Sequence, residues 1–371
     1  MATIFYGVSG EGRGHATRAR TVVEALREEH DIVLYAPDLA YALLRPLYEG
    51  TNVEVRSLPG IPHRYTATHR FDLPGTGLSA LRYFAGFSDL LRRLQQAIER
   101  EAPALVLTDF EPTLPRAARR CGVPFVSLTH QHVLLVSDFD TLPPHLRCFA
   151  ALIGQVVRAY YRGPVETIVS SFYFPPLKPA WQHVTQVGVL LRPEIVHAVP
   201  ETGCHVVAYL RRFASPAVLQ ALADSGRDVR IYGLGAWPSR GRLSFYDIDP
   251  YRFAEDLATG RALVSTAGNQ LIGEALYLGK PVLALPESGN HEQLINAHFL
   301  EQVNAGMGIP MNAATPAHVH TFLDRVDTFR ACIDRDRVHG NAAALAAIRR
   351  HLPAPAPALP HAEALVADVA L

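Results

Sequence analysis

The sequence is poor in the features that mark secreted, metal-binding and nucleic-acid-binding chains. Its 371 residues include only four cysteines, and no two of them form a Cys-x-x-Cys pair. We therefore expect neither a disulfide framework nor a zinc site, which suits a reducing cytoplasm. Lysine plus arginine and aspartate plus glutamate both number 35. Without an excess of positive charge to neutralise phosphates, no nucleic-acid partner is expected.

Long hydrophobic segments are also missing. No apolar run approaches the roughly 20 residues that span a bilayer, and the N-terminus lacks the basic start of a signal peptide. These absences predict a cytoplasmic location, with any membrane contact being peripheral and at the inner face. Hydrophobic residues still make up 49% of the chain and charged residues 19%, which is typical of globular domains with buried cores.

The chain is long enough for two domains of roughly 100–200 residues each. Short apolar runs alternate with helical patterns, which predicts βαβ units and parallel sheets. One such series occupies residues 1–190, and a second occupies 204–335. The stretch 191–203 has two prolines, a glycine and no periodicity, so it is interpreted as an inter-domain linker. Residues 336–371 are predicted to form a C-terminal helix followed by a Pro/Ala-rich tail.

A glycine-rich loop ending in His15 follows the first predicted strand. Its glycines allow close approach of a ligand, and the helix N-terminus that follows favours anions, so Gly12 and Gly14 are candidate phosphate contacts. The dinucleotide pattern G-x-G-x-x-G is not matched, because the third glycine comes one residue early. The helix dipole disfavours an imidazolium, so His15 is a candidate general base. The alternative is a capping histidine without chemistry.

The stretch 262–304 carries a second candidate site. A predicted buried strand ends near Thr266 and Gly268, and a helix begins at Asn269, where backbone N–H groups and a hydroxyl could hold a diphosphate. Glu274 lies one to two turns into that helix, where its carboxylate could accept both ribose hydroxyls of a nucleotide. The alternative for Glu274 is a solvated surface acid.

A later helix in this stretch presents two amides on one face. Gln293 and Asn296 are three residues apart, and amides suit sugar hydroxyls because each offers a donor and an acceptor. For Gln293 an alternative carries equal weight: Asn290 is the N-cap of the helix and Gln293 is its capping-box partner.

These segments resemble the donor site of glycosyltransferases with the GT-B fold, in which two Rossmann-like, doubly wound parallel-sheet domains face each other across a cleft. The closest resemblance is to the MurG-like group, family 28. The matching segments are Ser265-Thr266-Ala267-Gly268, Glu274-Ala275, Gly279-Lys280-Pro281-Val282, Glu292-Gln293 and Asn296-Ala297. The glycine loop ending in His15 agrees independently.

The resemblance implies roles for the candidate residues. Glu274 would bind the nucleotide ribose, and His15 would be the base for the acceptor. The remaining donor contacts would come from Gly268, Asn269 and the segment around Phe245 for the nucleotide and diphosphate, and from Gln293 and Asn296 for the sugar. Arg211 or Arg212, at the end of a predicted strand, could add positive charge beside the diphosphate, the alternative being surface arginines.

The acceptor side depends on residues at two further predicted strand ends. Relatives of this fold often have an acid that orients the catalytic histidine at the position of Asp109, and Glu111 is its competitor. His130 and His132 also follow a strand end, so they should line the same cleft. Glu111, His130 and His132 are therefore acceptor-cleft candidates, with a purely structural role as the alternative for each histidine.

The sequence thus predicts an inverting hexosyl- or N-acetylhexosaminyl-type glycosyltransferase that uses a UDP-sugar and a small or lipid-linked acceptor. No metal or further cofactor is expected, because backbone N–H groups and a helix dipole could stabilise the leaving diphosphate. A metal-dependent enzyme would instead use one of three Asp-x-Asp triplets. The sequence is also compatible with a UDP-sugar 2-epimerase-like enzyme of the same fold and with a non-catalytic nucleotide-sugar-binding protein.

Overall fold

The computed structural model of the chain describes residues 1–10, 12–60, 75, 79, 81, 83–211 and 214–353. Within these residues it forms two all-parallel sheets, one of seven strands and one of six, each flanked by helices, as two βαβ series predict. Apolar residues at helical spacing also predict a helix over 79–100, and part of it lies outside the described residues, as do Arg212 and most of the Pro/Ala-rich tail. No helix in the described part of the chain is long and apolar enough to cross a bilayer.

The N-terminal sheet has the strand order β3-β2-β1-β4-β5-β6-β7. Its strands are β1 (Thr3–Val8), β2 (Asp31–Ala36), β3 (Val53–Ser57), β4 (Leu105–Asp109), β5 (Phe125–Leu128), β6 (Glu166–Ser170) and β7 (Thr185–Val187). The chain order reverses between β1 and β4, so the loops that follow these two strands diverge and leave a crevice at their carboxyl ends. His15 and Asp109 lie at this crevice.

The helices up to the second sheet are α1 (Gly12–Leu26), α2 (Asp38–Tyr48), α3 (Phe87–Glu101), α4 (Leu114–Arg120), α5 (Val133–Val136), α6 (Pro144–Tyr160) and α7 (Pro193–Val196). Helix α1 begins within the glycine loop, four residues before the start at Ala16 that the sequence pattern predicts. His15 therefore lies inside the first turn of α1. The stretch 191–203, predicted to be irregular, contains the short helix α7.

The C-terminal sheet has the order β10-β9-β8-β11-β12-β13, with β8 (Val206–Tyr209), β9 (Val229–Tyr232), β10 (Leu243–Tyr246), β11 (Ala262–Ser265), β12 (Val282–Ala284) and β13 (Gly306–Gly308). Its helices are α8 (Pro216–Ala223), α9 (Pro250–Thr259), α10 (Asn269–Tyr277), α11 (His291–Gln302), α12 (Pro316–Asp324), α13 (Val326–Ala331), α14 (Arg335–Val338) and α15 (Asn341–Arg349). The order reverses between β8 and β11, which gives a second crevice.

Two segments cross between the sheets and bond to each other. The Gly340 N–H donates to the Val189 carbonyl at 2.9 Å. The Asn341 side chain accepts from Leu191 N at 2.7 Å and donates to Leu191 O at 2.8 Å. Gly273 of α10 also packs here, since a Cβ at that position would lie 2.4 Å from the Val189 methyl groups. In the described residues the two crossings between the domains therefore lie side by side, and we call this point the hinge.

Helix α15 returns to the N-terminal domain. It buries Ala344, Ala347 and Ile348 completely in the apolar core that also contains Ile4 and Val187. The sequence predicts a C-terminal helix here without its docking site. The N-terminal domain is thus completed by residues from the far end of the chain.

Candidate active site

The two crevices open onto one cavity of about 540 Å³ between the domains. The candidate residues that line it are Gly14, His15, His130, Arg211, Thr266, Gly268, Asn269, Glu274 and Gln293. Gly14 lies close to α10, because a Cβ at Gly14 would be 3.5 Å from that of Gln270. The structure therefore brings the glycine loop and the 262–304 stretch together, although about 250 residues separate them in the chain.

His15 and Asp109 form a buried pair at the N-terminal wall. His15 Nδ1 lies 2.9 Å from Asp109 Oδ1, and Asp109 is 0% exposed. The His15 ring stacks on Phe110, with ring centroids 6.2 Å apart. Within the described residues no hydrogen bond involves His15 Nε2. A ring held at Nδ1 and free at Nε2 is the arrangement that a general base requires.

Arg18 is a cavity residue that the sequence pattern does not reveal. Its Nε donates to Asp109 Oδ2 at 2.8 Å, and its Nη2 donates to Asp109 Oδ1 at 2.9 Å. Burial alone would raise the pKa of the Asp109 carboxyl, but the charges of Arg18 and His15 outweigh burial and hold that pKa at about 2. Asp109 is therefore ionised throughout the physiological range.

Glu111, the competitor of Asp109, points away from the cavity. Its carboxylate accepts from the backbone N–H groups of Thr113 and Leu114, both at 2.7 Å, and so caps the start of α4. Burial raises the pKa of Glu111, although these hydrogen bonds act against the rise. In this structure Glu111 is a helix-capping residue and does not line the acceptor cleft.

The two histidines after β5 lie in different surroundings. His130 lines the cavity, and its Nε2 lies 3.2 Å from Asn296 Oδ1 of the other domain. His132 faces away from this cavity and packs against Tyr161, with ring centroids 5.1 Å apart. Its Nδ1 has no partner within the described residues, and burial lowers its pKa to about 3. His132 is thus a neutral core histidine.

Asn296 and Asn269 join the domains. Asn296 Nδ2 donates to Ala267 O at 2.9 Å, while its Oδ1 also accepts from the Tyr173 hydroxyl at 3.2 Å. Asn269 Oδ1 accepts from Phe172 N at 3.3 Å. Asn296, predicted to hold the donor sugar, is therefore occupied by protein partners and does not line the cavity, whereas Asn269 lines it with its side chain directed at the N-terminal domain.

Glu274 lies in the cavity wall, 3% exposed, and is paired with an arginine from the inter-domain segment. Arg192 Nε and Nη2 donate to its two carboxylate oxygens at 3.2 and 3.1 Å. Gln270 Nε2 donates to Glu274 Oε1 at 3.3 Å. Glu274 is thus a buried, oriented carboxylate, which excludes the alternative of a solvated surface acid.

Gln293 lies at the start of α11, where Asn290 is the N-cap and accepts from Gln293 N at 3.2 Å. The Gln293 side chain accepts from Glu287 N at 2.7 Å and donates to Glu287 Oε2 at 3.1 Å. Asn290 is therefore the N-cap, but Gln293 does not complete a capping box, because its side chain bonds Glu287 and the Asn290 N–H donates to Glu287 O at 3.1 Å. Because Gln293 also lines the cavity, a sugar contact would require its amide to share or exchange these bonds.

Of the two remaining predicted nucleotide contacts, one lines the cavity and the other does not. Arg211 lines the cavity, while Phe245 is 5% exposed and packs in the core under β10. The wall beside Glu274 is instead formed by Ile248, Pro250 and Phe253. Alternation explains this, because side chains along a strand point to opposite faces of the sheet, and Phe245 points into the core.

None of the aspartates in the three Asp-x-Asp triplets lines the cavity, and three of them serve local structure. Asp249 caps α9, Asp334 caps α14, and Asp138 accepts from the backbone of Asp140. Among the described residues no group of three or more His, Cys, Asp or Glu side chains is arranged to hold a metal ion.

Two parallel-sheet domains that face each other across a cleft are the arrangement of the GT-B fold, and solved glycosyltransferase structures share it. LpCGTa in complex with UDP superposes with a TM-score of 0.65 at 16% identity, covering 95% of this chain and 99% of that one. MurG of Acinetobacter baumannii gives a TM-score of 0.60 at 13% identity, covering 94% and 100%. The resemblance drawn from the sequence is confirmed at the level of the fold.

The chain belongs to glycosyl transferase family 1, whose profile matches residues 2–327. A relative from Methanosarcina mazei, described as an uncharacterized glycosyltransferase, is 24% identical over 342 residues, which is 84% of this chain and 86% of the relative.

Proposed function

We propose that this glycosyltransferase moves a hexosyl-type sugar from a UDP-sugar to an acceptor hydroxyl, with inversion and with His15 as the base. The observation that carries the proposal is the buried His15–Asp109 pair, whose ring borders the same cavity as the N-terminus of α10. A positioned base and an anion-binding helix end on opposite walls are the two groups that this reaction needs.

The reaction is a single displacement. The acceptor oxygen attacks the anomeric carbon, and the bond from that carbon to the diphosphate oxygen breaks, with its electron pair leaving on UDP. The acceptor proton passes to His15 Nε2. Asp109 stabilises the imidazolium that forms and keeps the ring in position. One displacement at one carbon inverts its configuration.

The donor is held by the C-terminal wall. Backbone N–H groups at Gly268 and the start of α10, together with the Thr266 hydroxyl, bind the diphosphate without a metal ion. Glu274 accepts the ribose hydroxyls, and Arg211 adds positive charge. Support for UDP comes from the UDP bound to LpCGTa, a protein of the same fold.

The acceptor occupies the N-terminal side of the cavity. Here α2 contributes Leu43, Pro46 and Leu47 to the lining. An apolar wall beside the base favours an acceptor with an apolar body, which is compatible with both a small molecule and the headgroup-proximal part of a lipid-linked one.

The proposal is tested by incubating the protein with a panel of UDP-sugars and candidate acceptors and detecting products by mass spectrometry. The His15→Ala variant should lose about 100-fold or more in transfer rate while binding UDP as wild type does. His320→Ala, on the exposed face of α12, is the control and should be fully active.

Transfer at near-normal rate by His15→Ala would rule out the base assignment. Formation of an epimer from the donor alone would favour a 2-epimerase-like enzyme. Binding of a UDP-sugar without transfer to any acceptor or to water would favour a non-catalytic protein. Product analysis by NMR decides inversion from the anomeric coupling constant.

A further inference from the structure

A second side chain of α1 holds the carboxylate that orients His15. Arg18 donates twice to Asp109, through Nε at 2.8 Å and Nη2 at 2.9 Å, so the planar guanidinium meets the carboxylate edge to edge. His15 and Arg18 are three residues apart, which is about one helical turn, so α1 presents both side chains to the Asp109 carboxylate. Arg18 is only 2% exposed.

We propose that Arg18 is a positioning residue that fixes the plane of Asp109 and balances its charge, and thereby sets the tautomer and the working pH range of His15. This inference depends on the proposed role of His15 as the base. Arg18 acts on His15 through Asp109 and also through its own Nη2, which lies 3.1 Å from His15 Nδ1, and it takes no proton itself.

The first part of the effect is geometric. A carboxylate held by one hydrogen bond can rotate about its last side-chain torsion, whereas two parallel bonds from a guanidinium fix its plane. Asp109 Oδ1 is then held 2.9 Å from His15 Nδ1. Arg18 Nη2 lies 3.1 Å from the same nitrogen, but the Asp109 oxygen is closer and can only accept, so the hydrogen of the neutral imidazole is placed on Nδ1. The lone pair is left on Nε2, where a base needs it.

The second part is electrostatic. A buried carboxylate strongly favours the charged form of a neighbouring imidazole, but a permanent positive charge on the same carboxylate offsets much of that attraction. Arg18 therefore offsets part of the attraction that Asp109 exerts on a positive charge at the His15 ring. The other charged or titratable groups around this cluster in the described residues are Tyr6, Arg13, Arg20, His130, His132, Tyr161, Arg192, Arg211, Glu274 and Glu292. They are unchanged in an Arg18 variant.

The experiment compares Arg18→Met, which removes the charge, with Arg18→Lys, which keeps the charge but loses the planar fork. Arg27→Met, just beyond the end of α1 and paired locally with Glu24, is the control for loss of an arginine. Two readouts are used: the pH profile of kcat/KM for UDP release, and the tautomer of the His15 ring from long-range nitrogen–proton NMR spectra, assigned by difference with His15→Gln. The NMR readout needs neither donor nor acceptor.

In Arg18→Met we expect the acidic limb of the profile to move about one pH unit upward and His15 to lose its single Nδ1–H tautomer, with the donor KM changed less than twofold. Arg18→Lys should keep the acidic limb and lose several-fold in kcat. Arg27→Met should match wild type in both readouts.

An unmoved acidic limb and an unchanged tautomer in Arg18→Met would overturn the inference, and so would equal shifts in the Met and Lys variants. If Arg18→Met does not fold, Arg18→Lys still decides, because a moved acidic limb in that variant contradicts the role of charge. A fully active His15→Ala protein would instead sink the proposed function. The two failures are therefore distinguishable.

Discussion

Replacing Asp109 with asparagine should destabilise the fold as well as stop catalysis. The change keeps the shape of the side chain but removes the charge that faces Arg18, and 0% of Asp109 and 2% of Arg18 are exposed, so water cannot solvate the guanidinium. Removing one partner of a buried ion pair costs about 3–5 kcal/mol. In addition, the new amide NH2 group would face either Arg18 Nε or His15 Nδ1, which now lie 2.8 and 2.9 Å from the carboxylate oxygens. Two donors would then point at each other without an acceptor between them.

The assay is urea unfolding followed by circular dichroism, with Asp89→Asn as the matched control. Asp89 pairs with Arg92 on the surface of α3, where the two side chains are 66% and 72% exposed, and an exposed pair of this kind contributes about 0.5 kcal/mol or less. We expect a loss of about 3 kcal/mol or more for Asp109→Asn and almost none for Asp89→Asn. Removing Arg18 as well, by Arg18→Met, should recover part of the loss, because no unpaired charge then remains.

Equal midpoints for Asp109→Asn and Asp89→Asn would refute the reasoning, since they would mean that Arg18 finds another partner or reaches water. Transfer activity provides a second check. If Asp109 acts only through His15, combining Asp109→Asn with His15→Ala should be no worse than His15→Ala alone.

Three further predictions concern pH, the nucleotide and the hinge. Burial holds the pKa of His132 at about 3, so the contribution of this neutral histidine to stability is complete above about pH 6.5 and is lost as the pH falls towards 3. Between neutral pH and about pH 5, the free energy of unfolding in urea should therefore fall by about 2 kcal/mol less in His132→Phe than in wild type. Equal losses in the two proteins would contradict this. Glu274→Gln should weaken both uridine and UDP binding about tenfold by calorimetry, because the lost contact is to the ribose, and unchanged affinities would exclude that contact. Gly273→Ala should lower the free energy of unfolding in urea by about 1–3 kcal/mol, because its Cβ would lie 2.4 Å from Val189. Gly86→Ala is the control and should lower it much less, since the nearest atom to its Cβ would be 3.8 Å away. Equal losses in the two variants would show that the backbone at the hinge shifts to make room.

Much of the fold could be predicted because buried parallel strands are encoded by short apolar runs and several helices have clear starts. The apolar run Thr3–Val8 predicts a strand that coincides with β1. The pattern over Pro250–Thr259, which begins with a proline after a capping aspartate, predicts a helix that coincides with α9. α5 is not predicted, because its four residues, Val133–Val136, are all apolar. A run of that length carries no period that separates a helical turn from a strand.

The site residues divide by how far away their partners lie. Glu274 and His15 could be found from local context, because each follows a strand end at the start of a helix. Arg18 could not be found this way, since its partner Asp109 is 91 residues away, and Arg192 is 82 residues from Glu274. No local pattern encodes such a pairing.

The direction in which a side chain points is the second property of the site that the sequence could not predict. Asp109 and Glu111 are two residues apart, and Phe110 between them has a positive φ of 55°, a backbone turn that sends the two carboxylates to different places. Asp109 reaches His15 beside the cavity, and Glu111 reaches the start of α4. His130 and His132 are separated in the same manner by the turn into α5. Residue type alone predicts neither outcome.

The docking of α15 has a consequence for how the protein is made. During synthesis the seven strands of the first sheet leave the ribosome early, but Ala344, Ala347 and Ile348, which seal the core around β1 and β7, come last. The first half of the chain must therefore wait with part of its apolar surface open until the second half has been translated and has folded. We expect a nascent chain stalled before residue 341 to bind holdase chaperones, and one stalled well beyond residue 353 to be released from them.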